Sequence, residues 1–242
     1  MAVYRIPREL WFPDPAIADP SGLLGVGGDL SPERLLLAYR SGIFPWYSHD
    51  QPILWWSPDP RMVLESAHLQ VPRSLAKRIR QQPYTITLDR AFSQVLAGCA
   101  SAPRPGQDGT WLTPEMQAAY LKLHQLGFAH SCEAWRDGEL VGGLYGVAVG
   151  HLYCGESMFA RANDASKIAF VWLTQQLRDW GFPVIDCQVH TKHLDRFGAT
   201  EIPRRDYLTH VARLSALPRT AAQWSFDAGF VPDPLRASHT NL

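Results

Sequence analysis

Hydrophobic and polar positions follow two different periods along the chain. Between residues 113 and 127, apolar side chains recur at the spacing of one helical face. Thr113 precedes this stretch as a helix N-cap, and Gly127 follows it as a stop signal. The pattern predicts an amphipathic helix whose buried face carries Met116, Ala119, Tyr120, Leu123 and Leu126.

A β-hairpin is predicted directly after this helix. Residues 131–136 and 139–148 read as strands, and Asp137-Gly138 between them tolerates the positive φ of a two-residue turn. The other predicted elements of this region are a strand at 151–154, a helix at 165–180, a strand at 183–189 and, upstream, helices at 72–82 and 91–100 and a strand at 84–88.

The first sixty residues differ from the rest. They are rich in Pro, Gly and Trp and show one clear helix, capped by Ser31, entered through Pro32 and stopped at Gly42. We therefore expect a small loop-rich N-terminal α/β module over residues 1–62 and a larger domain over 63–242. Antiparallel strands followed by a long helix and another strand make the larger domain α+β, with a mixed sheet flanked by helices, rather than doubly wound.

Charge is balanced overall but not locally. The 242 residues include 23 Lys+Arg and 23 Asp+Glu. Zero net charge excludes a protein that coats nucleic acid indiscriminately. Residues 61–104, however, hold seven basic and two acidic side chains. A local contact with nucleic acid therefore remains compatible with the composition.

Several common protein classes are disfavoured. The apolar runs are too short for a spanning helix, and charged side chains interrupt the start of the chain, so we expect a cytoplasmic protein without membrane contact. The four cysteines stand 22 or more positions apart, which favours buried thiols over a metal knuckle or a disulfide framework. We expect neither a metal nor an organic cofactor.

Two polar side chains interrupt the apolar strand at 183–189. Asp186 and Gln188 are two residues apart, so they share one face of the strand while Cys187 points to the other. Burying either without a partner costs about 1–3 kcal/mol, so each needs a hydrogen-bond partner or a substrate. An internal hydrogen-bond network and a substrate site are both compatible with this pattern.

A second carboxylate, Glu156, follows Gly155 at the predicted end of the strand that begins at residue 151. Strand ends often build sites, and a glycine allows close backbone approach to a ligand. A cap for the next helix is the structural alternative for Glu156.

Several long ungapped blocks of this sequence match the motifs of a known protein family. They include Gly27-Gly28-Asp29-Leu30-Ser31-Pro32, Gly42-Ile43-Phe44-Pro45-Trp46, Trp55-Trp56-Ser57-Pro58-Asp59-Pro60-Arg61, Gly109-Thr110-Trp111, Cys154-Gly155-Glu156-Ser157-Met158-Phe159 and Ile185-Asp186-Cys187-Gln188. In these blocks, over roughly residues 10–210, the sequence resembles the bacterial leucyl/phenylalanyl-tRNA protein transferases.

The resemblance implies an enzyme that moves Leu or Phe from leucyl-tRNA or phenylalanyl-tRNA onto the α-amino group of proteins beginning with Lys or Arg. The product would carry a destabilising N-terminus for the N-end rule pathway. The resemblance also implies an N-acyltransferase-like fold in the larger domain, and a monomer is expected. An acyl-CoA-dependent N-acyltransferase, for which no pyrophosphate loop is visible, and a non-enzymatic tRNA or N-terminus adaptor are the alternatives.

The same resemblance assigns catalytic roles. The reaction is aminolysis of an ester, so the nucleophile is the acceptor's own amine, which is mostly protonated at neutral pH because its pKa is about 7.7–8.0. Asp186 is the implied base, Gln188 would position the amine or relay its proton, and Glu156 would orient the acceptor's amine or cationic side chain.

An apolar pocket is needed to select Leu and Phe. The residues that align with the family's pocket are Leu144, Met158, Phe170, Leu173, Leu177 and Ile185. Ordinary core packing is the alternative for Phe170, Leu173 and Leu177, because these three recur at helical spacing.

Two further sets would hold the tRNA. Aromatic faces typically stack on unpaired bases, and the residues that match the family for the terminal adenosine are Tyr39, Trp46, Trp111 and Tyr120. Tyr120 also fits the buried face of its helix. Phosphates of the acceptor stem would meet a basic helix that carries Arg73, Lys77, Arg78 and Arg80, for which a solvated helix face is the alternative.

Overall fold

A computed structural model describes residues 3–102 and 111–233. The helices in these ranges are α1 (Pro32–Arg40), α2 (Arg73–Arg80), α3 (Phe92–Ser101), α4 (Pro114–Gln125), α5 (Ala165–Asp179), α6 (Lys192–Asp195) and α7 (Arg204–Ser215). The strands are β1 (Tyr4–Ile6), β2 (Leu23–Gly27), β3 (Phe44–Pro45), β4 (Leu54–Trp56), β5 (Arg61–Glu65), β6 (Thr85–Leu88), β7 (Ala129–Arg136), β8 (Glu139–Val149), β9 (Leu152–Ala160), β10 (Val184–Gln188) and β11 (Thr200–Ile202). Gly109 and Thr110 of the matching blocks lie outside the described residues.

The N-terminal region combines helix α1 with a sheet of short strands that are joined by loops. Four strands pair in the order β1-β2-β4-β3. Each has only two to five residues, which is too short to show an alternating pattern. Helix α1 forms as expected, because the Ser31 hydroxyl accepts a hydrogen bond from the Arg34 amide and Gly42 takes a φ of 74° after the helix.

The second sheet confirms the α+β prediction. Its seven strands run in the order β11-β5-β10-β9-β8-β7-β6. Only β9 and β10 are parallel, and α5 connects them. One face of the sheet packs against α1, α3, α4 and α7, and the other packs against α2 and α5. The sheet is therefore mixed and covered by helices on both faces.

Local signals placed several elements correctly. The Thr113 hydroxyl accepts from the Met116 amide at 3.2 Å and starts α4, and Asp137 and Gly138 turn the β7–β8 hairpin with positive φ. The strand predicted at 151–154 is too short, because β9 continues to Ala160. Glu156 therefore lies inside a strand rather than at its end.

The cysteines and the helix lengths agree with the expectations for the described ranges. The four cysteines are buried thiols outside any disulfide, as expected. Among the helices of residues 3–102 and 111–233, none is long and apolar enough to cross a bilayer.

Strands β9 and β10 pair over a short length only. Their partners are Leu152 with Val184, Tyr153 with Ile185, and Cys154 with Asp186. After that point each strand continues without pairing to the other. Gln188 instead joins Met62 of β5 after a bulge, with a left-handed φ of 63°. The sheet therefore opens between β9 and β10, immediately beside the polar residues singled out in the sequence.

Candidate active site

A cavity of about 640 Å³ lies where β9 and β10 stop pairing. Four of the six residues expected in the apolar pocket line it: Leu144, Met158, Phe170 and Ile185. Leu173 and Leu177 do not line it, so their assignment to the pocket is corrected. They lie on the following turns of α5 and are buried in the core, at 2% and 0% exposure.

A second cavity, of about 280 Å³, adjoins the first. Trp46 and Trp111, two of the residues predicted to stack on the terminal adenosine, line it. The residues that line both cavities are Glu156, Ser157, Met158, Gln188 and Val189. A ligand with an apolar arm and a planar base can therefore occupy both cavities, with its middle against these shared residues.

Tyr39 and Tyr120 do not present faces to the second cavity, which corrects their assignment to adenosine stacking. Both rings are buried, at 1% and 0% exposure, and both hydroxyls point at Glu156. The Tyr39 hydroxyl donates to Oε1 of Glu156 at 2.8 Å, and the Tyr120 hydroxyl donates to Oε2 at 2.7 Å. Tyr120 supports the second cavity indirectly, because its ring packs at 85° against Trp111.

Glu156 is held by neutral donors. In addition to the two tyrosines, Gln188 donates from Nε2 to Oε1 of Glu156 at 2.8 Å. Burial raises the pKa of Glu156 to about 7, and the negative charge of Asp186 acts in the same direction, while the hydrogen bonds from Tyr120, Tyr39 and Gln188 oppose the shift. These contacts also exclude the helix-cap alternative for Glu156.

Asp186 is fully buried and held by a cation. The Arg61 guanidinium binds it through two hydrogen bonds, Nε to Oδ1 at 2.7 Å and Nη2 to Oδ2 at 2.6 Å. The Tyr207 hydroxyl donates to Oδ2 at 2.8 Å. Both carboxylate oxygens are engaged inside the protein, so this arrangement does not present Asp186 to an incoming amine as a base. The role of Asp186 as the base stays a prediction, and the contact that the structure adds is one to the backbone of Gln188.

Asp186 and Gln188 lie on the same side of the sheet, as expected, and Cys187 packs on the other side. The backbone N–H of Gln188 donates to Oδ1 of Asp186 at 2.9 Å. This bond bridges the left-handed turn at Gln188, a conformation that costs free energy for a non-glycine residue. Asp186 thereby holds the backbone that directs the Gln188 side chain toward Glu156.

Sequence reasoning missed Arg61 and Tyr207. A carboxylate buried in an apolar strand requires a partner, and a cation is the strongest one. Arg61 is a cation at the end of one of the matching blocks, so it was a candidate for that partner. Tyr207 lies on α7, which was not predicted. The buried residues Tyr207, Val211 and Leu214 recur at the spacing of one helical face and would have revealed that helix.

The basic helix α2 presents three of its four expected cations to solvent. Arg73, Lys77 and Arg80 are exposed, whereas Arg78 is partly buried and lies 4.0 Å from Asp164 through its Nε. Asp164 directly precedes α5, whose residue Ser166 lines the larger cavity. Arg78 therefore lies beside a carboxylate, and its contact with a tRNA phosphate stays a prediction.

The comparisons with known proteins agree on one family. The family model described as leucyl/phenylalanyl-tRNA protein transferase matches residues 63–212, and the model of that family's N-terminal domain matches residues 28–59. A leucyl/phenylalanyl-tRNA–protein transferase of Anaeromyxobacter sp. (strain Fw109-5) is 59% identical over 96% of this chain and 99% of its own length. One of Nitratidesulfovibrio vulgaris (strain DP4) is 54% identical over 96% of this chain and 100% of its own length.

Solved structures show a weaker similarity. L-PGS from Bacillus licheniformis has a TM-score of 0.38 at 14% identity, covering 71% of this chain and 56% of its own. A GCN5-related N-acetyltransferase from Kribbella flavida has a TM-score of 0.36 at 13% identity, covering 70% of this chain and 60% of its own.

Proposed function

This chain belongs to the leucyl/phenylalanyl-tRNA protein transferase family, and on that premise we propose that it transfers a leucyl or phenylalanyl group from tRNA to the α-amino group of a protein. It is therefore an aminoacyltransferase. The observation that carries the proposal is the meeting of two cavities at Glu156 and Gln188, one of them apolar and the other bearing Trp46 and Trp111.

The two cavities match the two ends of an aminoacyl-adenosine. The larger one offers Leu144, Phe170 and Ile185 to an apolar side chain, and apolar burial contributes about 25 cal/mol per Å². The smaller one offers tryptophan faces to the terminal adenine, and such stacking contributes about 1–3 kcal/mol per base. The ester that joins the two ends then lies against Glu156 and Gln188.

Gln188 is the side chain best suited to receive the acceptor amine. Its Nε2 is committed to Glu156, so its Oε1 is the atom left to accept an N–H from the amine. The amine nitrogen attacks the ester carbonyl carbon once it has lost its extra proton. The bond from that carbon to the ribose oxygen then breaks. The oxygen takes up one proton and leaves as a hydroxyl, and the attacking nitrogen releases one proton, so the step balances. Asp186 assists by holding Gln188 in place.

The finer features of the proposal are supported by the family resemblance alone. They are leucyl-tRNA and phenylalanyl-tRNA as donors, proteins with N-terminal Lys or Arg as acceptors, a role in the N-end rule pathway, a cytoplasmic location and a monomeric state. The exposed face of Arg73, Lys77 and Arg80 supplies a surface for tRNA phosphates, whose contacts weaken with salt.

A label-transfer assay tests the proposal. Phenylalanyl-tRNA labelled in its amino acid is incubated with the full chain and a peptide that begins with Arg. We expect label in the peptide, abolished by prior RNase treatment and by acetylation of the peptide's α-amine. Transfer of acetyl groups from acetyl-CoA would favour the N-acyltransferase alternative. Binding of tRNA or peptide without transfer would favour the adaptor.

A further inference from the structure

We propose that Glu156 is a neutral carboxylic acid in the resting enzyme and that it supplies the proton needed by the ribose oxygen when the ester breaks. The first half concerns the chain alone. The second half rests on the proposed function. Glu156 would then act as a general acid, rather than as a charged group that orients the acceptor.

Three oxygen contacts around Glu156 need three protons. The two tyrosine hydroxyls lie 2.8 Å from each other, and each also lies within 2.8 Å of a Glu156 oxygen. Tyr39 and Tyr120 have one hydroxyl proton each. With an ionised Glu156, one of the three contacts would join two oxygens with no proton between them. A carboxyl proton completes the set, so the contacts close into a ring of three hydrogen bonds.

The position of Gln188 favours one direction around this ring. Oε1 of Glu156 already accepts from Gln188, so Oε1 is the carbonyl oxygen and Oε2 is the hydroxyl. Protonation of Oε2 reverses the bond that Tyr120 donates to the ionised carboxylate. The Glu156 hydroxyl then donates to Tyr120, Tyr120 donates to Tyr39, and Tyr39 donates to Oε1. Every polar atom of the ring is thereby satisfied.

The groups that face Glu156 from the surrounding elements also favour the acid. Tyr39 and Tyr120 approach from α1 and α4, and their own pKa values are raised well above 10 by burial and by the nearby carboxyl, so they remain proton donors. Asp186 on β10 contributes negative charge, which raises the pKa of Glu156, while Cys154 on β9 is a buried thiol with a raised pKa. The cation Arg61 binds Asp186 rather than Glu156.

The proton balance of the transfer is complete with this assignment. The acceptor first loses one proton to solvent and becomes a neutral amine. Its nitrogen attacks the ester carbon, and the carbon–oxygen bond to the ribose breaks as Glu156 gives its proton to that oxygen. The new amide nitrogen loses its extra proton, which returns to Glu156. The products are a peptide bond, a free ribose hydroxyl and the original acid.

Infrared difference spectroscopy tests the protonation state without requiring activity. Spectra of the full chain are compared with those of Glu156→Gln, in which an amide replaces the acid at nearly the same size. We expect a protonated-carboxyl band at about pH 6, lost with a midpoint near the raised pKa of about 7 and absent from the variant. Glu133→Gln is the matched control, because Glu133 is a buried carboxyl whose pKa is also raised. It should retain the band assigned to Glu156.

The pH dependence of single-turnover transfer tests the catalytic half. With aminoacyl-tRNA bound in advance, the rate is divided by the fraction of acceptor amine that is neutral at each pH. We expect this corrected rate to fall about tenfold per pH unit above the Glu156 midpoint in the wild type. In Glu156→Gln it should be pH-independent and about 10²-fold lower at neutral pH, the lower end of the usual contribution of a general acid.

The outcomes separate the two proposals. Absence of the carboxyl band at about pH 6 overturns the acid assignment, whether or not transfer is observed. Presence of the band with a flat corrected rate in the wild type overturns the general-acid role. Presence of the band in a chain that transfers nothing supports the protonation state and contradicts the proposed function.

Discussion

Asp186 and Glu156 lie close together on neighbouring strands, yet their carboxyl groups have opposite kinds of hydrogen-bond partner. Asp186 receives a guanidinium through two hydrogen bonds and is fully buried with it. Glu156 receives two tyrosine hydroxyls and one amide, all of them neutral. The two groups differ in the charge of their partners and also in exposure, because Asp186 is fully buried whereas Glu156 is partly exposed.

The different partners of Asp186 and Glu156 give the two carboxyl groups different roles. A buried ion pair fixes geometry, because both charges must remain matched once water is excluded. A buried carboxyl among neutral donors keeps its proton toward neutral pH and can exchange it. Asp186 is accordingly a support for the Gln188 turn, and Glu156 is the titrating group at the junction of the two cavities.

The largest expected effect comes from breaking the Asp186–Arg61 pair. Asp186→Asn leaves a buried guanidinium without its counter-charge, and removing one partner of such a pair costs about 3–5 kcal/mol. We expect denaturant unfolding to show a loss of that size, together with loss of transfer. Arg61→Met should lower transfer similarly, because both changes release Gln188.

A control separates this role from direct base catalysis. The double variant Asp186→Leu with Arg61→Met removes both charges and should recover stability relative to Asp186→Asn. An Arg61→Met enzyme with wild-type transfer, beside an inactive Asp186→Asn, would instead show that Asp186 acts as the base.

Replacing Glu156 should alter how stability depends on pH. Because folding raises the pKa of Glu156 from 4.5 to about 7, the folded state binds a proton that the unfolded state has released over this interval. Stability from this source is full below about pH 4.5 and is lost as pH rises through about 7, a change of about 3 kcal/mol. We expect Glu156→Gln to remove that slope in unfolding experiments.

Glu115 is the matched control for this prediction, since it is an exposed carboxylate on α4. Glu115→Gln should leave the wild-type slope in place. A Glu156→Gln variant that retains the slope would show that another group is responsible for it.

Trp46→Ala should weaken donor binding. Trp46 is 38% exposed and lines the smaller cavity, and loss of one stacking face costs about 1–3 kcal/mol, or about 5- to 150-fold in affinity. Equilibrium binding of aminoacyl-tRNA measures the effect. Trp11→Ala is the control, because Trp11 is 47% exposed but does not line either cavity. Equal losses in both variants would place the adenosine elsewhere.

The smallest expected effect concerns the basic helix α2. Lys77→Gln should weaken tRNA binding independently of sequence and reduce the slope of log affinity against log salt by about 1, the value for one lost phosphate contact. Arg205→Gln changes an exposed cation on α7 and should leave the slope unchanged. An unchanged slope in Lys77→Gln would support the alternative of a solvated helix face.

Sequence patterns predict the features that depend on residues close together along the chain, such as helix caps and turns. The Thr113 cap, the Asp137-Gly138 turn and the apolar stripe of α4 depend on contacts within a few positions, and all three were placed correctly. The sequence pattern predicts too short a strand for β9, because a glycine and polar residues interrupt the apolar positions. In the fold, distant partners form hydrogen bonds with those polar groups.

The errors at the site share one cause. Tyr39 and Tyr120 were assigned to stacking, but their hydroxyls meet a carboxyl that lies 117 and 36 positions away along the chain. The Arg61–Asp186 pair spans 125 positions. No local pattern encodes such contacts, so the sequence indicated which residues take part in the site but not which of them bind one another.

A crystal structure with a non-hydrolysable analogue, phenylalanine joined to adenosine through an amide, tests the arrangement of the site most directly. We predict the phenyl ring in the larger cavity against Phe170 and Ile185, the adenine against Trp46 and Trp111, and the joining bond within hydrogen-bond distance of Glu156 and Gln188. An analogue whose joining bond lies away from Glu156 would contradict the account.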